Sequence, residues 1–230
     1  MEEEPAMNLL RKIASTLLTL SALQLTSEAA ATPQTYQIDP DHSRVEFTIR
    51  HMFSKVTGSF DEFSGTIKYD ADAPATSSVS AVIQASSIDT NKPERDKHLK
   101  SPDFFDVATY PTLTFTSTKV TPTPDGKLRI QGALTIHGVT KPVVLEASFL
   151  GSGPGLDGAT RAGFEGATKV DRKDFGILWN KTLDKGGTLL GDDVQISLQI
   201  ESILPKPGEE GSKAETKKTD KAEKKETAGK

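Results

Sequence analysis

The side chains that most often hold metal ions are sparse in this sequence. Its four histidines are separated by 9, 47 and 39 positions, and they are His42, His51, His98 and His137. No pair has the i, i+4 or similar spacing that brings two imidazoles to one compact metal site. The chain has no cysteine, which excludes thiolate zinc sites, disulfides and cysteine nucleophiles. The sequence therefore predicts no metal site.

A charged segment after residue 170 is the next candidate for chemistry. Asp171-Arg172 together with Asp174-Phe175-Gly176 superficially resembles the catalytic and magnesium-binding loops of protein kinases. The chain is too short for two kinase lobes, and its apolar pattern is one of strands. We therefore expect a turn here, with an ion pair between Asp171 and Arg172.

Serines and paired acids do not indicate a hydrolase. No serine lies in a G-x-S-x-G sequence, the turn that exposes the nucleophile of α/β-hydrolases. Asp61-Glu62 and Asp192-Asp193 are adjacent acids in expected turns, where solvated carboxylates are common. We predict a protein that is not an enzyme, with no catalytic residue, although these patterns do not exclude catalysis.

Net charge argues against a nucleic-acid partner. The 230 residues include 28 Lys and Arg against 32 Asp and Glu, a formal charge of -4. Such a balance provides no overall positive field for a phosphate backbone. No nucleic acid is therefore expected among the partners.

The N-terminal residues 7–31 have the pattern of a secretory signal. Arg11 and Lys12 precede an apolar stretch from Ile13 to Leu25, and residues 29–31 form an A-x-A-type cleavage site. The apolar stretch is shorter than the roughly 20 residues that span a bilayer. We predict a signal peptide over 1–31, with Met7 as the better start, cleavage after Ala31 and a periplasmic or secreted protein.

The C-terminal residues 205–230 have a different composition. They consist mainly of Lys, Glu, Thr, Ala and Gly, without a large apolar residue. Such a segment cannot bury enough surface to offset the entropy of ordering it, so we predict a disordered tail. Residues 32–204 remain, which is enough chain for one sizeable core.

Within residues 32–204 the apolar residues recur with period two, which is typical of strands with one buried face. The clearest row consists of Val194, Ile196, Leu198 and Ile200. Similar rows lie at 45–49, 63–69, 79–85, 113–115, 128–134, 143–149 and 162–164, which gives about eight strands. This number of half-buried strands favours an antiparallel up-and-down barrel or a sandwich.

Turn and helix signals are consistent with an antiparallel arrangement. Asp125-Gly126 predicts one hairpin turn, and His137-Gly138 with Pro142 predicts the next. A single helix is expected over 92–101, with Asn91 as its cap, Pro93 in its first turn and Pro102 at its end. Its apolar anchors would be Leu99, Phe104 and Phe105.

The inward faces of the predicted strands are rich in aromatic side chains. An eight-stranded barrel either fills its interior with such side chains or keeps a cavity for one small apolar ligand. Composition alone does not decide between these two arrangements.

Four ordered blocks of sequence resemble the YceI-like family of periplasmic proteins. The first runs from Tyr36 through Phe47, and the second and most specific runs from Arg95 through Phe115. The third is Leu134-Thr135-Ile136-His137-Gly138-Val139-Thr140-Lys141-Pro142, and the fourth is Asp171-Arg172-Lys173-Asp174-Phe175-Gly176. The resemblance covers residues 36–203 and leaves the tail outside.

The resemblance implies an all-β, eight-stranded antiparallel lipocalin-like barrel with a short helix near its mouth. It also implies an apolar channel that holds a polyisoprenoid, such as a quinone or polyprenyl lipid, or a similar long amphiphile, with no other cofactor. The channel residues expected from strand parity and from the late turn are Val45, Phe47, Ile49, Phe63, Ile67, Ile83, Leu113, Phe115, Leu134, Phe149, Phe164, Phe175 and Trp179. Each buried CH₂ of such a ligand contributes roughly 0.8 kcal/mol, so few polar contacts are needed.

Partners and rival functions follow from the same resemblance. The family's setting allows transient contact with the envelope membrane or a membrane redox protein. A homodimer is a further expected partner, which the sequence does not decide. One rival is an enzyme that acts on an isoprenoid or quinone head group, with His51, His98 or Asp171 converging at the mouth. Another is a packed β-domain without a ligand that serves as an interaction or stress module through its tail. The charges of the block 95–106 are expected to be structural.

Overall fold

The computed structural model describes residues 33–184 and 186–206. The predicted signal peptide and residues 207–230 of the predicted tail lie outside the described residues. The strands are β1 (Gln34–Ile38), β2 (Arg44–His51), β3 (Ser54–Phe60), β4 (Phe63–Tyr69), β5 (Ser78–Gln84), β6 (Ile88–Asp89), β7 (Thr112–Pro122), β8 (Leu128–Ile136), β9 (Val139–Pro154), β10 (Thr160–Asp171) and β11 (Leu190–Ile203). The helix α1 spans Pro93–Leu99, and short 3-10 helices lie at Pro40–His42, Pro74–Thr76, Ala85–Ser87 and Arg172–Phe175.

Eight of the strands close into an antiparallel barrel. Their order is β1-β4-β5-β7-β8-β9-β10-β11, and β1 pairs again with β11 to complete the ring. The closing pair is short, with Gln37 opposite Ile203 and Ile38 opposite Ser202. The predicted eight-stranded antiparallel barrel is thus confirmed, and the sandwich alternative is wrong.

Three further strands extend the wall beside β11. After β1 the chain bends at the 3-10 helix Pro40–His42 and continues as β2, which pairs with β11. Next, β3 pairs with β2, and the two-residue β6 pairs with β3. The period-two pattern did not predict β3, because its inward position 58 is a glycine. A Cβ on Gly58 would lie 2.6 Å from the Phe47 ring.

The connections alternate between the two ends of the barrel. We call the end with the β2–β3 turn, the β8–β9 turn and the 3-10 helix Arg172–Phe175 the upper end, and the opposite end the lower end. Both predicted hairpin turns form, and left-handed φ angles of 80° at Gly126 and 51° and 73° at His137 and Gly138 permit them. Pro142 does not belong to the turn, because it lies within β9 opposite Ala133.

The helix begins and ends slightly inside its predicted range. Lys92 is its N-cap residue and Pro93 its first residue, whereas Asn91 has a φ of 57° and does not cap it. The prediction of an Asn91 cap is therefore wrong, because the backbone turns sharply between β6 and α1. No helix in the described part of the chain is long and apolar enough to cross a membrane.

Candidate functional site

Most of the predicted channel residues lie together inside the barrel. Nine belong to or pack against the largest apolar cluster, and they are Val45, Phe47, Phe63, Ile83, Leu113, Phe115, Leu134, Phe175 and Trp179. Ile67, Phe149 and Phe164 lie in a second cluster, together with Tyr36. Ile49 is half-buried and belongs to neither cluster. Parity thus located the inward face, and the role of these residues in binding stays a prediction.

The inward face of β11 keeps some accessible surface although it packs against the core clusters. Its apolar row is Val194, Ile196, Leu198 and Ile200, and all four side chains are only half-buried. Yet β11 is flanked along this row by β10 on one side and, over most of it, by β2 on the other. Apolar side chains that face inward and still keep accessible surface indicate that the barrel's own side chains do not fill its interior completely. We predicted this row as a strand but not as part of the channel.

Small inward residues explain where that space comes from. Gly166 on β10 lies opposite Leu198 and Ala147. A Cβ built on Gly166 would lie 3.6 Å from the Leu198 side chain and 3.7 Å from the Ala147 Cβ, which is ordinary van der Waals contact. One more side-chain atom at Gly166 therefore fits on the inward face of β10 without overlap.

Another inward glycine makes room for a ring. A Cβ on Gly132 of β8 would lie 2.4 Å from the Phe115 ring and 2.7 Å from the Thr116 carbonyl oxygen. These distances are too short for any side chain. The lack of a side chain at Gly132 therefore lets the Phe115 ring of the neighbouring strand β7 lie over β8, and spacing alone did not indicate it.

Aromatic side chains cover the upper end. The His98 ring on α1 meets Trp179 edge to face with centroids 5.0 Å apart, and it meets Phe104 in the same way. Phe104 and Trp179 are 5.2 Å apart. Nε2 of His98 is 2.8 Å from a carboxylate oxygen of Asp103. The helix, the loop after it and the segment after β10 thus close the upper end jointly.

The charged block 95–106 ties the helix to the strand before it. Nε and Nη2 of Arg95 donate to the Thr90 hydroxyl and carbonyl oxygens, each at 2.7 Å. Asp96 accepts hydrogen bonds from the Thr90 backbone N–H and hydroxyl. Arg95 and Asp96 therefore hold the start of α1 against β6, which is a structural role.

Arg172 organises the segment between β10 and β11. Its side chain is only 4% exposed. Nη1 donates to the carbonyl oxygens of Ile177 and Trp179, Nε donates to that of Gly191, and Nη2 donates to Asp192. Arg172 therefore fixes the backbone that carries Trp179 over the upper end.

The kinase-like motifs have structural roles. The expected Asp171–Arg172 ion pair does not form, because Asp171 caps the 3-10 helix by accepting the Lys173 N–H, and Arg172 pairs with Asp192. Asp192 and Asp193 lie within β11 rather than in a turn, where the β11–β2 register shifts.

The histidines do not form a common catalytic group in the described residues. His98 pairs with Asp103, His137 packs on Tyr110 with centroids 4.6 Å apart, and His42 pairs with Asp39. No hydrogen bond, ion pair or ring contact in the described residues joins the side chain of His51 or Asp171 to these pairs. His51, His98 and Asp171, which the enzymatic rival requires, therefore do not interact directly with one another.

A charge network lies at the lower part of the barrel, where β1, β10 and β11 meet. Nη1 of Arg161 donates to carboxylate oxygens of Asp39, at 2.9 Å, and of Glu201, while Nη2 donates to Asp157 at 3.1 Å. Burial raises the pKa of Asp39, but hydrogen bonds from His42 and Arg161 outweigh that effect and lower it. Asp39, His42 and Glu201 could together face one cation, but the Arg161 guanidinium already donates hydrogen bonds to both carboxylates.

Two cavities open on the described surface. One of about 340 Å³ lies beside the bend before β2 and reaches the buried side chains of Val45 and Phe60. The other, of about 830 Å³, lies between the β3–β4 link and α1 and has Asp89, Lys97 and Lys100 on its walls. Both are bordered by charged residues, so neither has the character of a lipid channel.

Comparison with known proteins identifies related chains. A family model described as the YceI-like domain matches residues 36–202. Protein YceI of Salmonella arizonae is 41% identical over 191 residues, which cover 82% of this chain and 96% of that protein. The crystal structure of BcnA from Burkholderia cenocepacia aligns with a TM-score of 0.64 at 26% identity, covering 71% of this chain and 98% of BcnA.

A more distant structure has the same fold. It is a polyisoprenoid binding domain from Saccharophagus degradans, implicated in plant cell wall breakdown. Its TM-score is 0.54 at 16% identity, and the alignment covers 75% of this chain and 99% of that domain. This likeness concerns the barrel architecture alone.

Proposed function

The chain belongs to the YceI-like family, and from this premise we propose that it binds a polyisoprenoid lipid, a quinone or a polyprenyl compound, in its barrel without catalysing a reaction. The binding site is the apolar interior between β10, β11, β2 and the strands opposite. The protein would store such a lipid or carry it through water between membranes. A ligand of this kind needs a long apolar enclosure and few polar groups.

The observation that carries this proposal is the half-buried apolar face of β11 inside a closed barrel. Beside this face Gly166 has no side chain and its neighbour Ala147 has a small one, and a Cβ added to Gly166 would meet only ordinary contacts. We infer that a linear chain of carbon atoms lies along this part of the interior. The Saccharophagus degradans protein of the same fold is described as a polyisoprenoid binding domain, which supports the class of ligand.

A periplasmic location belongs to the same proposal. Residues 7–31 have the basic start, apolar stretch and small-residue cleavage site of a secretory signal. The absence of cysteine is compatible with an oxidising compartment. N-terminal sequencing of the protein from the periplasm of its host is expected to begin at Thr32.

The first experiment is native mass spectrometry of the protein purified from its own host, followed by organic extraction and identification of the bound compound. We expect one isoprenoid or other long-chain lipid per chain. Replacing Phe47 or Phe115 with aspartate would place a charge against the ligand and abolish this binding.

A gentler variant separates binding from folding. In Gly166→Leu the new side chain extends from an uncrowded Cβ into the lumen, so uptake of ubiquinone and of a polyprenol should fall by about tenfold or more while the fold persists. Ala167→Leu is the matched control, because Ala167 is the neighbour on the outer face of β10. Equal uptake by both variants would contradict the proposed channel.

One observation favours a second candidate, a packed interaction domain without a ligand. Several interior rings already contact one another, with Tyr69 and Phe149 centroids 4.6 Å apart and Phe47 and Phe60 centroids 5.8 Å apart. Rings that pack on one another fill part of the interior and leave less of it for a ligand. Repeated recovery of an empty protein that takes up neither quinones nor polyprenols would favour this candidate.

A further inference from the structure

The upper end of the barrel carries exposed apolar side chains that the interior does not use. Phe53, at the tip of the β2–β3 turn, is 91% exposed, and its neighbour Met52 is 39% exposed. Leu178, in the segment between β10 and β11, is 64% exposed. Single leucines on a protein surface are ordinary. A phenylalanine exposed at the tip of a turn is less favourable, because its large apolar surface is in contact with water.

These residues belong to one rim. The Met52 N–H donates to the Leu189 carbonyl oxygen, and the Leu189 N–H donates to the Lys181 carbonyl oxygen, both at 2.9 Å. The β2–β3 turn, the start of β11 and the segment after β10 therefore continue the sheet past the barrel. We call residues 50–55, 177–184 and 186–189 the upper rim.

The outward direction of Leu178 follows from local alternation. Ile177 is buried and Trp179 packs against Phe104, so both face the core. Leu178 between them faces solvent. Arg172 holds the carbonyl groups of Ile177 and Trp179, and the Asn180 side chain bonds the Leu190 backbone N–H and carbonyl. Leu178 is thus held outward by a fixed backbone.

The upper rim is basic in a chain of net negative charge. It contains three basic residues, Arg50, Lys55 and Lys181, against one acid, Asp184. Arg50 and Lys55 are directly opposite each other on β2 and β3, and both are exposed. Like charges in such a pair destabilise a sheet, and no described carboxylate pairs with either of them. An anionic surface would relieve this repulsion.

We propose that the upper rim docks onto a bilayer containing anionic lipids, with Phe53 and Leu178 inserted at the interface and Arg50, Lys55 and Lys181 against the head groups. Exposed apolar side chains beside basic ones are the combination by which proteins bind membrane interfaces. The same end carries the Trp179 cover of the barrel. This proposal rests on the proposed function in one respect only, because docking would serve to exchange the bound lipid with a membrane.

The lower end provides an internal comparison. It also carries exposed leucines, Leu150 at 63% and Leu156 at 112%. The residue after Leu156 is Asp157, whose carboxylate pairs with Arg161. The β9–β10 hairpin therefore exposes apolar side chains but has no counterpart of Arg50 and Lys55 on the upper rim. It serves as the control.

The test is sedimentation of the purified protein with vesicles of phosphatidylcholine alone and of phosphatidylcholine mixed with phosphatidylglycerol. We expect binding to the mixed vesicles that weakens as salt is added. The double variant Phe53→Ser with Leu178→Ser should bind about tenfold more weakly, and Arg50→Gln with Lys55→Gln should lose the preference for phosphatidylglycerol. Leu156→Ser should bind like the unchanged protein.

Other outcomes are distinguishable. Vesicle binding that is unaffected in the Phe53 and Leu178 double variant would overturn the proposal. So would light scattering showing a dimer that this variant converts to a monomer, since the rim would then face a second copy. Uptake of detergent-dispersed polyprenol should be unchanged in the double variant. If neither the unchanged protein nor any variant takes up polyprenol while vesicle binding is intact, the proposed lipid channel is overturned and the docking surface is not.

Discussion

Single residues set the shape of the interior, and the inward glycines do so most directly. At Gly132 any side chain would overlap the Phe115 ring and the Thr116 backbone, whereas at Gly166 a Cβ meets only ordinary contacts. The same residue type thus has opposite consequences at two positions. One glycine is needed for packing, and the other leaves space.

We expect Gly132→Ala to destabilise the protein by about 1–3 kcal/mol, because Phe115 must leave its position. Gly153→Ala is the matched control on β9, since a Cβ added to Gly153 would meet no other atom within 4 Å. Urea denaturation of both variants measures the free energies of unfolding. Equal stability of the two would show that Phe115 moves at no cost.

At the scale of elements, Arg172 couples the segment 177–184 to β11. Its guanidinium satisfies carbonyl oxygens that would otherwise lose their partners in a buried place. The neighbouring Lys173 reaches the same Asp192 from a side chain that is 47% exposed. These two cations share one partner but differ in burial.

We expect Arg172→Gln to lower the free energy of unfolding by about 3 kcal/mol and to release the segment that carries Trp179. Trp179 is the only tryptophan, so its fluorescence should shift to longer wavelength as it becomes hydrated. Lys173→Gln should change stability by less than about 1 kcal/mol, as exposed ion pairs do. A similar loss in both variants would contradict the special role of Arg172.

At the scale of the whole molecule, closure of the barrel depends on a short seam. Two residue pairs join β1 to β11, and Arg161 reinforces that place by bonding Asp39 at the end of β1 and Glu201 on β11. The fully buried Ser202 donates from its hydroxyl to the Ala162 carbonyl oxygen beside it. Because Asp39 at this seam is ionisable, the free energy of unfolding should depend on pH.

The direction of that link follows from the lowered pKa of Asp39, to which Arg161 contributes a hydrogen bond. A carboxyl whose pKa is lower when folded than its unfolded value of about 3.9 stabilises the protein above that pH, and this contribution is lost as pH falls through the folded pKa. Arg161→Gln should therefore shift the acid-unfolding midpoint to higher pH. Circular dichroism during acid titration measures the midpoint.

The control for this titration is Lys127→Gln, because Lys127 pairs at 3.9 Å with the exposed Asp125. The pKa of Asp125 is lowered chiefly by the Thr123 hydroxyl. Removing the charge of Lys127 should therefore leave the acid-unfolding midpoint nearly unchanged. A midpoint that moves as much in this variant as in Arg161→Gln would contradict the role of the seam.

The sequence by itself determined the strands with a strict period-two pattern, the two hairpin turns and the inward direction of most channel residues. These are local properties, set by side-chain alternation and by backbone angles that glycine permits. Ten of the eleven predicted channel residues that lie on strands are in the two interior clusters for this reason.

Only the tertiary structure decided the rest. The strand β3 has a glycine at an inward position, which interrupts its apolar alternation and makes room for the Phe47 ring of the neighbouring strand β2. The partner of Arg172 is Asp192, twenty residues away, rather than the adjacent Asp171. The upper rim also brings Phe53 and Leu178 to one end of the barrel from distant parts of the chain. Such contacts are non-local, and their energies depend on burial and distance, which neither spacing nor composition records.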